Sequence, residues 1–491
     1  MQIKLVLSNV GKLLILIGAS MLIPLITAII YSENCWWVFA VSAAITIGLG
    51  ILLIKLFAKY AHQKLSIQDS YLLVTLTWFF AALLGMLPYL LAGTFNEITA
   101  AFFESMSGIT TVGASVLDNV EAQPHGILMW RSTTQWLGGM GILVLFIAVL
   151  PGTSALQMYK AESMGPVMGK LLPKASDTAR SLWLIYLLNT MLIFALYVLA
   201  GMNVFDAINH SFTTVATGGF STRNASIAAY QNAAIEWVAI LGMFMGGINY
   251  SLYFYVLHNR RVDEFKKSLE FKVYLGVIVL FTMIIYSKLL IAQDYSVFTG
   301  LRHSIFQVLT IITTTGYASC DFDQWSLLAR YLLLILMMVG ACSGSTTCGM
   351  KIDRHIILFQ KMRYEVEKFF HPRMVSHLRL KGEPLDNTIV LRTTTFFNTY
   401  ILIAAISIYL LACMDIGLME CVSGTLSCLG GVGPAMGQWG PSETYSMAPA
   451  GAKLVLSALM LLGRLEIYPV LVSCLPLLYK RVHQEKLHFE D

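Results

Sequence analysis

Long apolar stretches alternate with short polar connections along almost the whole chain. Ten of them approach the length of about 20 residues that a helix needs to cross the hydrocarbon core of a bilayer. They lie near 10–31, 36–58, 70–93, 127–150, 181–202, 234–257, 273–292, 328–348, 389–412 and 452–478. Four half-length amphipathic runs sit between them, each ahead of a long apolar stretch. The pattern predicts an all-α polytopic membrane protein with ten transmembrane helices. Composition agrees: of 491 residues 57% are hydrophobic and only 12% charged, which excludes a soluble domain of this length. The first stretch is followed at once by Ser32-Glu33-Asn34 and a second span, without a small-residue cleavage pattern, so it reads as a retained helix.

Each half-length run ends in a small triplet: Thr111-Val112-Gly113, Thr217-Gly218-Gly219, Thr314-Thr315-Gly316 and Gly431-Val432-Gly433, at intervals of roughly a hundred residues. Aligned on the final glycine, the position six upstream is Ser107, Thr213, Thr310 or Ser427, always a hydroxyl. Four upstream are Ile109, Val215, Ile312 and Leu429, and seven upstream are Met106, Phe212, Leu309 and Leu426. Apolar residues at both offsets mark one face of a short helix. Agreement at several offsets in four places points to a duplicated unit of outer helix, half-helix, triplet and inner helix. The units cover 67–158, 159–259, 260–360 and 389–491; residues 1–66 form a two-helix extension and 361–388 a further connection.

Charge gives the chain its orientation. Basic residues collect in alternate connections: Lys55, Lys59 and Lys64; Lys160, Lys170, Lys174 and Arg180; Arg260, Arg261, Lys266, Lys267 and Lys272; a run from Lys351 to Lys381; and Lys480, Arg481 and Lys486 in the tail. By the positive-inside rule these are cytoplasmic, as are both termini. The segment 95–126, with Glu97, Glu104, Asp118 and Glu121 but no Lys or Arg, is then external. The triplets therefore dip in from outside, through a mouth that attracts cations.

A dehydrated monovalent cation needs several oxygens of moderate field strength, which a ring of backbone carbonyls supplies. Glycine permits the required backbone angles, and a half-helix directs its negative end toward the membrane centre. The triplets contain no carboxylate. Gly138, Gly139, Gly141, Gly242, Gly246 and Gly247 read as close helix packing. The stretch 340–350, with three glycines, cannot make a stiff helix; it is either a gate lining a water-filled cavity or a helix break. Arg464 is an intramembrane charge in the last inner helix, either facing the pore below the triplets as a barrier or pairing with Glu466 or backbone carbonyls. Arg131 and Arg330 read as snorkelling or paired, and His210 as a capping or packing residue. The region 351–388 reads equally as an amphipathic surface helix or a docking platform for a cytosolic partner. The eight scattered cysteines lack metal-ligand or C-x-x-C spacing and read as packing residues. Two transport modes remain open: a gated channel-like pore, and a proton- or sodium-coupled symporter working by alternating access, for which Glu466 is the one good midplane carboxylate. A membrane enzyme is not indicated, since no metal-ligand or nucleophile constellation stands out in the spans.

Together, Phe102-Phe103-Glu104-Ser105, Gly218-Gly219-Phe220-Ser221-Thr222, Gly344-Ser345-Thr346, Val432-Gly433-Pro434 and Gly463-Arg464-Leu465-Glu466 make the chain similar to the Trk/Ktr/HKT superfamily of potassium transporters. It resembles most the bacterial Trk-type membrane subunits, over essentially its whole length, and the two leading helices also look like that branch. The resemblance implies potassium uptake across the bacterial inner membrane through a pore in each subunit of a homodimer. It implies a cytosolic nucleotide-binding regulatory ring (TrkA-type) as partner, with lipid around the protein, no nucleic acid, and no covalently bound cofactor; K+ is the transported ion and the only metal. Carried onto this sequence, the filter comprises Thr111, Val112, Gly113, Thr217, Gly218, Gly219, Thr314, Thr315, Gly316, Gly431, Val432 and Gly433. The gate comprises Gly344, Ser345, Thr346, Thr347, Cys348 and Gly349, and the pore arginine is Arg464. In the related plant transporters a serine at the first filter glycine accompanies sodium preference, so Gly113, Gly219, Gly316 and Gly433 together favour potassium. Two departures stand out: Thr347-Cys348 where relatives continue with glycines, which stiffens the gate, and Gly430-Gly431 where relatives often carry Asn. The fourth segment is thus expected to be the weak quarter of the filter.

Overall fold

The computed structural model describes residues 2–60, 63, 65–141, 144, 175–260, 263–292, 295–371, 379–380 and 383–474. Over these residues the fold is helical, apart from a pair of two-residue antiparallel strands, Arg379–Leu380 and Glu383–Pro384, and an isolated bridge between Val339 and Met350. Among the described residues six helices are long and apolar enough to cross a membrane: Ile3–Ile30, Trp36–Tyr60, Ile67–Leu91, Ser176–Leu199, Leu269–Ile291 and Asn387–Ala412. They match six of the ten stretches expected from hydropathy.

The other four differ in instructive ways. The stretch 234–257 is two helices, Ala233–Gly246 and Tyr250–His258, meeting at 90°. The bend is built by Asn249, whose side chain accepts from Ser251 N at 2.8 Å and starts the second helix afresh. The stretch 452–478 breaks likewise, Ala450–Arg464 and Tyr468–Cys474 lying at 113°. Glu466 and Ile467 there adopt φ of +53° and +67°, which no helix can continue through. The stretch 328–348 is helical only over Leu327–Leu336, and 340–350 is irregular, as its glycines require. Of 127–150, the helix His125–Gly139 is described; most of its remainder, and the boundary at 158–159, lie outside the described residues.

Four short helices precede the triplets: Ile98–Ile109, Val204–Val215, Val297–Ile312 and Leu418–Gly430. Each is followed, after its triplet, by an apolar helix: His125–Gly139, Ala233–Gly246, Leu327–Leu336 or Ala450–Arg464. The contact between short and following helices is made through glycine. A Cβ on Gly138 would lie 1.9 Å from the Ile109 carbonyl oxygen, and one on Gly463 2.1 Å from that of Leu429, so the backbones touch directly. These are equivalent positions at the ends of the first and fourth short helices, and the packing role expected for the inner-helix glycines is what Gly138 performs.

The N-terminal helices pack on each other in the same way. Gly11 and Gly50 face one another, a Cβ on either reaching 2.6 Å from the other's carbonyl oxygen. The outer faces of this pair carry Ile26, Trp36, Trp37 and Leu52, all about half exposed, as suits contact with lipid. Two residues before the contact, on the opposite side of the same helix, Gly48 has nothing within 4 Å of its Cβ position. Gly50→Leu should therefore destabilise the detergent-solubilised protein by about 1–3 kcal/mol, read as a lowered Tm, while Gly48→Leu leaves Tm within error of the parent.

Candidate ion-conducting site

All four short helices end in one hydrogen-bond pattern. The first residue of each triplet turns left-handed: Thr111 at φ +58°, Thr217 at +52°, Thr314 at +54° and Gly431 at +80°. The next N–H then folds back to a carbonyl five residues upstream: Val112 to Ser107 at 3.0 Å, and Gly218 to Thr213, Thr315 to Thr310 and Val432 to Ser427 at 2.8 Å. This is the Schellman termination, ordinarily built on glycine. Here three of the four left-handed positions hold threonine, a β-branched residue for which that conformation costs of order 1–3 kcal/mol. The recurring hydroxyl residues thus contribute their backbone carbonyls to the helix ends, which the sequence alignment alone could not reveal.

The final glycines are left-handed too, at φ +84° for Gly113, +82° for Gly219, +80° for Gly316 and +100° for Gly433. Their neighbours explain why no side chain is present. A Cβ on Gly113 would stand 2.2 Å from the Gly218 carbonyl oxygen, on Gly219 1.8 Å from that of Thr315, on Gly316 2.1 Å from that of Val432, and on Gly433 2.5 Å from that of Val112. Each triplet abuts the next in chain order and the fourth returns to the first. The structure therefore brings all twelve triplet residues into one closed ring, in which middle-residue carbonyls lie against neighbouring glycines.

Against the ring lies a cavity of about 130 Å³, bordered by Gly113, Gly219, Gly316 and Pro434 and by Asp118 and Glu443. Arg131 and Arg223 also border it, so its lining is not purely acidic as the connection 95–126 alone suggested. Each arginine has a carboxylate partner. Arg131 Nε donates to Glu104 at 2.8 Å with both side chains buried, and Arg223 Nη2 to Asp206 at 3.2 Å. Glu104 is correspondingly not a mouth carboxylate. It is fully buried and also accepts from Val116 N at 2.9 Å and Ser115 Oγ at 3.0 Å, while Arg131 donates to the Ser221 carbonyl at 3.0 Å. One ion pair thus fixes the chain leaving both the first and the second triplet. Gln135 adds a second tie, donating to the Gly218 carbonyl at 2.6 Å and accepting from Phe220 N at 3.0 Å. His210 is buried between the Asp206 carbonyl at 2.8 Å and Ser221 Oγ at 3.0 Å, a packing role as expected, and Arg330 lies 4.0 Å from Asp323.

Inside the ring, the segment 340–350 rises to meet the triplets. Its neck is closed by Gly340 N donating to Met350 O at 2.9 Å and Ile352 N to Ala341 O at 3.1 Å. At its tip, Cys348 N donates to Thr314 Oγ1 at 2.9 Å, Thr217 Oγ1 lies 3.3 Å from Thr346 Oγ1, and Thr111 Oγ1 lies 3.8 Å from Cys348 Sγ. The three threonines that open a triplet, Thr111, Thr217 and Thr314, are therefore all in contact with the loop. Arg464 lies at the same level. Its Nη1 donates to Thr111 Oγ1 at 3.1 Å and Thr346 O at 3.0 Å, and its Nη2 to the Gly138 and Gly139 carbonyls at 2.5 and 2.8 Å. Of the partners considered for it, backbone carbonyls are the ones found; Glu466 instead pairs with Arg354. Beneath the loop, Ser343 donates its N–H to Glu270 and its hydroxyl to Asp353, both at 2.5 Å, and Lys351 Nζ donates to Thr347.

The buried pair, Gln135 and the charges under the loop were not singled out as site residues from sequence. For Glu104, Arg131 and Gln135 the only sequence signal is polarity inside apolar segments, whereas Glu270, Lys351 and Asp353 lie among the charges of the basic connections. Arg131→Ala, which strands the Glu104 carboxylate in a dry site, should cost about 3–5 kcal/mol. Thermal unfolding in detergent should show a larger loss for it than for Arg131→Met with Glu104→Met, where no charge is left unpaired.

Known proteins match the chain along nearly its full length. The family model described as a cation transport protein, TrkH, matches residues 38–479. The Trk system potassium uptake protein TrkH of Halomonas elongata is 35% identical over 98% of this chain and 100% of its own, and that of Escherichia coli K12 is 34% identical over the same shares. The crystal structure of the potassium transporter TrkH from Vibrio parahaemolyticus superposes with a TM-score of 0.87 at 32% identity, covering 96% of this chain and 98% of that one. A helical membrane fold that closes four triplets into a ring, matched along nearly its full length by these proteins, places the chain in the TrkH family of cation transport proteins.

Proposed function

We propose that this chain takes up potassium across the bacterial inner membrane through a gated, channel-like pore. The observation that carries the reading is the closed ring of four carboxylate-free triplets, each glycine seated against the next segment's carbonyl. In this reading the chain has ten transmembrane helices, two leading and eight in four helix–pore loop–helix repeats around one pore, divided as 1–66, 67–158, 159–259, 260–360, 361–388 and 389–491, with both termini cytoplasmic. Residues 111–113, 217–219, 314–316 and 431–433 form the K+ filter, Gly344 to Gly349 the gate, and Arg464 an electrostatic barrier. The ion is potassium because relatives named for potassium uptake match the whole chain and all four filter glycines are present. A homodimer, gated by a cytosolic nucleotide-binding ring that acts on the loop through the helix Ile352–Phe370, completes the proposal.

One observation favours a second reading, uptake coupled to protons by alternating access. Glu270, Asp353 and Glu466 are three carboxylates tied to the loop or to the charged cluster at its base. Bilayer recordings of the reconstituted protein separate the two, since unitary currents exclude strict alternating access and their absence alongside proton-dependent flux excludes the channel.

Gly113→Ser should let sodium compete with rubidium uptake into vesicles, because its side chain enters the ring where the Gly218 carbonyl stands; uptake indifferent to sodium counts against the filter assignment. Arg464→Ala should raise rubidium flux severalfold by removing a positive charge from the path. Loss of folded protein with no gain in flux per molecule would instead make Arg464 only an anchor.

A further inference from the structure

The fourth triplet differs from the others in starting with Gly431, and the structure shows what occupies the space of the missing threonine. A Cβ on Gly431 would lie 2.3 Å from Cys348 Cβ and 2.9 Å from its Sγ, both inside the closest approach that real side chains make. Elsewhere the loop meets the triplet threonines through polar contacts, Thr217 with Thr346 and Thr314 with the Cys348 N–H. At the fourth segment it enters the gap itself. The thiol is buried and also reaches the Thr110 carbonyl at 3.6 Å, Thr111 Oγ1 at 3.8 Å and Arg464 Nη1 at 3.3 Å. It thus bridges the fourth segment to the first, across the inner end of the ring.

We infer that Cys348 and Gly431 form a steric lock, the thiol seated under the fourth filter segment holding the loop closed. The inference rests on the transport reading above and assigns the closed state's key contact to this pair. The glycine is then not a defect of the fourth segment but the socket for the loop. The backbone at 431 is left-handed like that of Thr111, Thr217 and Thr314, though its φ of +80° lies beyond their +52° to +58°. A threonine there therefore meets backbone strain of the kind the other three segments carry and, in addition, the overlap with Cys348, which those segments do not have. The packing is directional as well: a small residue at 348 leaves a void beside Gly431, and a large one at 431 expels the loop.

Rubidium efflux from vesicles containing the full chain without a cytosolic partner tests the lock. Cys348→Gly and Gly431→Thr should each raise this leak severalfold. The double variant, in which the threonine fills the space the thiol left, should return it close to the parent value. Leak unchanged in Cys348→Gly, or single effects that simply multiply in the double variant, would overturn the inference. A readout independent of flux uses Cys348 as the only cysteine, with the other seven replaced by alanine, and a membrane-impermeant cationic methanethiosulfonate as probe. Cys348 should be modified slowly in this background and at least about tenfold faster with Gly431→Thr, which displaces the loop; equal rates overturn the lock while leaving any observed rubidium transport intact. Absence of rubidium flux in every variant, with or without partner, would overturn the transport reading and the gate role with it, even where the reactivity contrast is seen.

Discussion

Backbone touching backbone, with no room for a side chain, is the constraint on which this architecture turns. Gly113, Gly219, Gly316 and Gly433 each stand where a Cβ would overlap a carbonyl of the adjoining segment. A ring closed in this way has a circumference set by peptide geometry, and peptide units are far stiffer than side-chain ligands. Four separate chain segments must therefore arrive at one place with little tolerance. Gly138 and Gly463, which bring helix backbones against the Ile109 and Leu429 carbonyls, apply the same rule one layer out. Close approach of backbones is also what stabilises helix association in lipid, where hydrophobic exclusion from water is unavailable.

Such a ring stores strain. Three threonines in left-handed backbone conformations are unfavourable by a few kcal/mol in sum, and their surroundings must over-determine them. The Schellman hydrogen bonds do so from within each helix end. The Glu104–Arg131 pair and Gln135 do so from outside, where Arg131 ties the first and second segments together. From inside, the threonine hydroxyls meet Arg464 and the loop 346–348. Polar groups at membrane depth are expensive unless fully engaged, and Arg131, Gln135 and Arg464 each hold a backbone carbonyl near the ring.

How much of this was legible in the sequence follows from the range of each interaction. The short helices and triplets were readable because their requirements are local: an apolar face at fixed offsets, then a residue that tolerates a left-handed turn. Six of ten spans were readable because hydropathy alone defines them. The broken spans were not, since the bends at Asn249 and at Glu466-Ile467 occupy too few positions to alter a twenty-residue average. Glu104 looked like a mouth carboxylate because its partner, Arg131, lies 27 residues on and in another helix. Gly431 looked like a weakness of the fourth segment because Cys348, which fills its space, belongs to a different unit of the chain. Each departure from a local pattern was visible; its compensation was not, because that depends on which distant element packs against it.

Two arginines near the loop show why position matters more than the number of charges. Arg354 pairs with Glu466 and stacks on Phe396, so its field is largely cancelled within a few ångströms. Arg464 is held by neutral groups: the Gly138 and Gly139 carbonyls, the Thr346 carbonyl and the Thr111 hydroxyl. Carbonyls at a helix C-terminus carry a fractional negative charge, enough to keep a guanidinium folded into the protein but not to neutralise a full positive unit. In the proposed reading, a charge held in this way is felt by any cation leaving the ring. The same guanidinium is hydrogen-bonded to the loop, so in the proposed reading displacing the loop also removes part of what holds Arg464 in place. Barrier and gate would then be one hydrogen-bonded unit, with the thiol of Cys348 in contact with both.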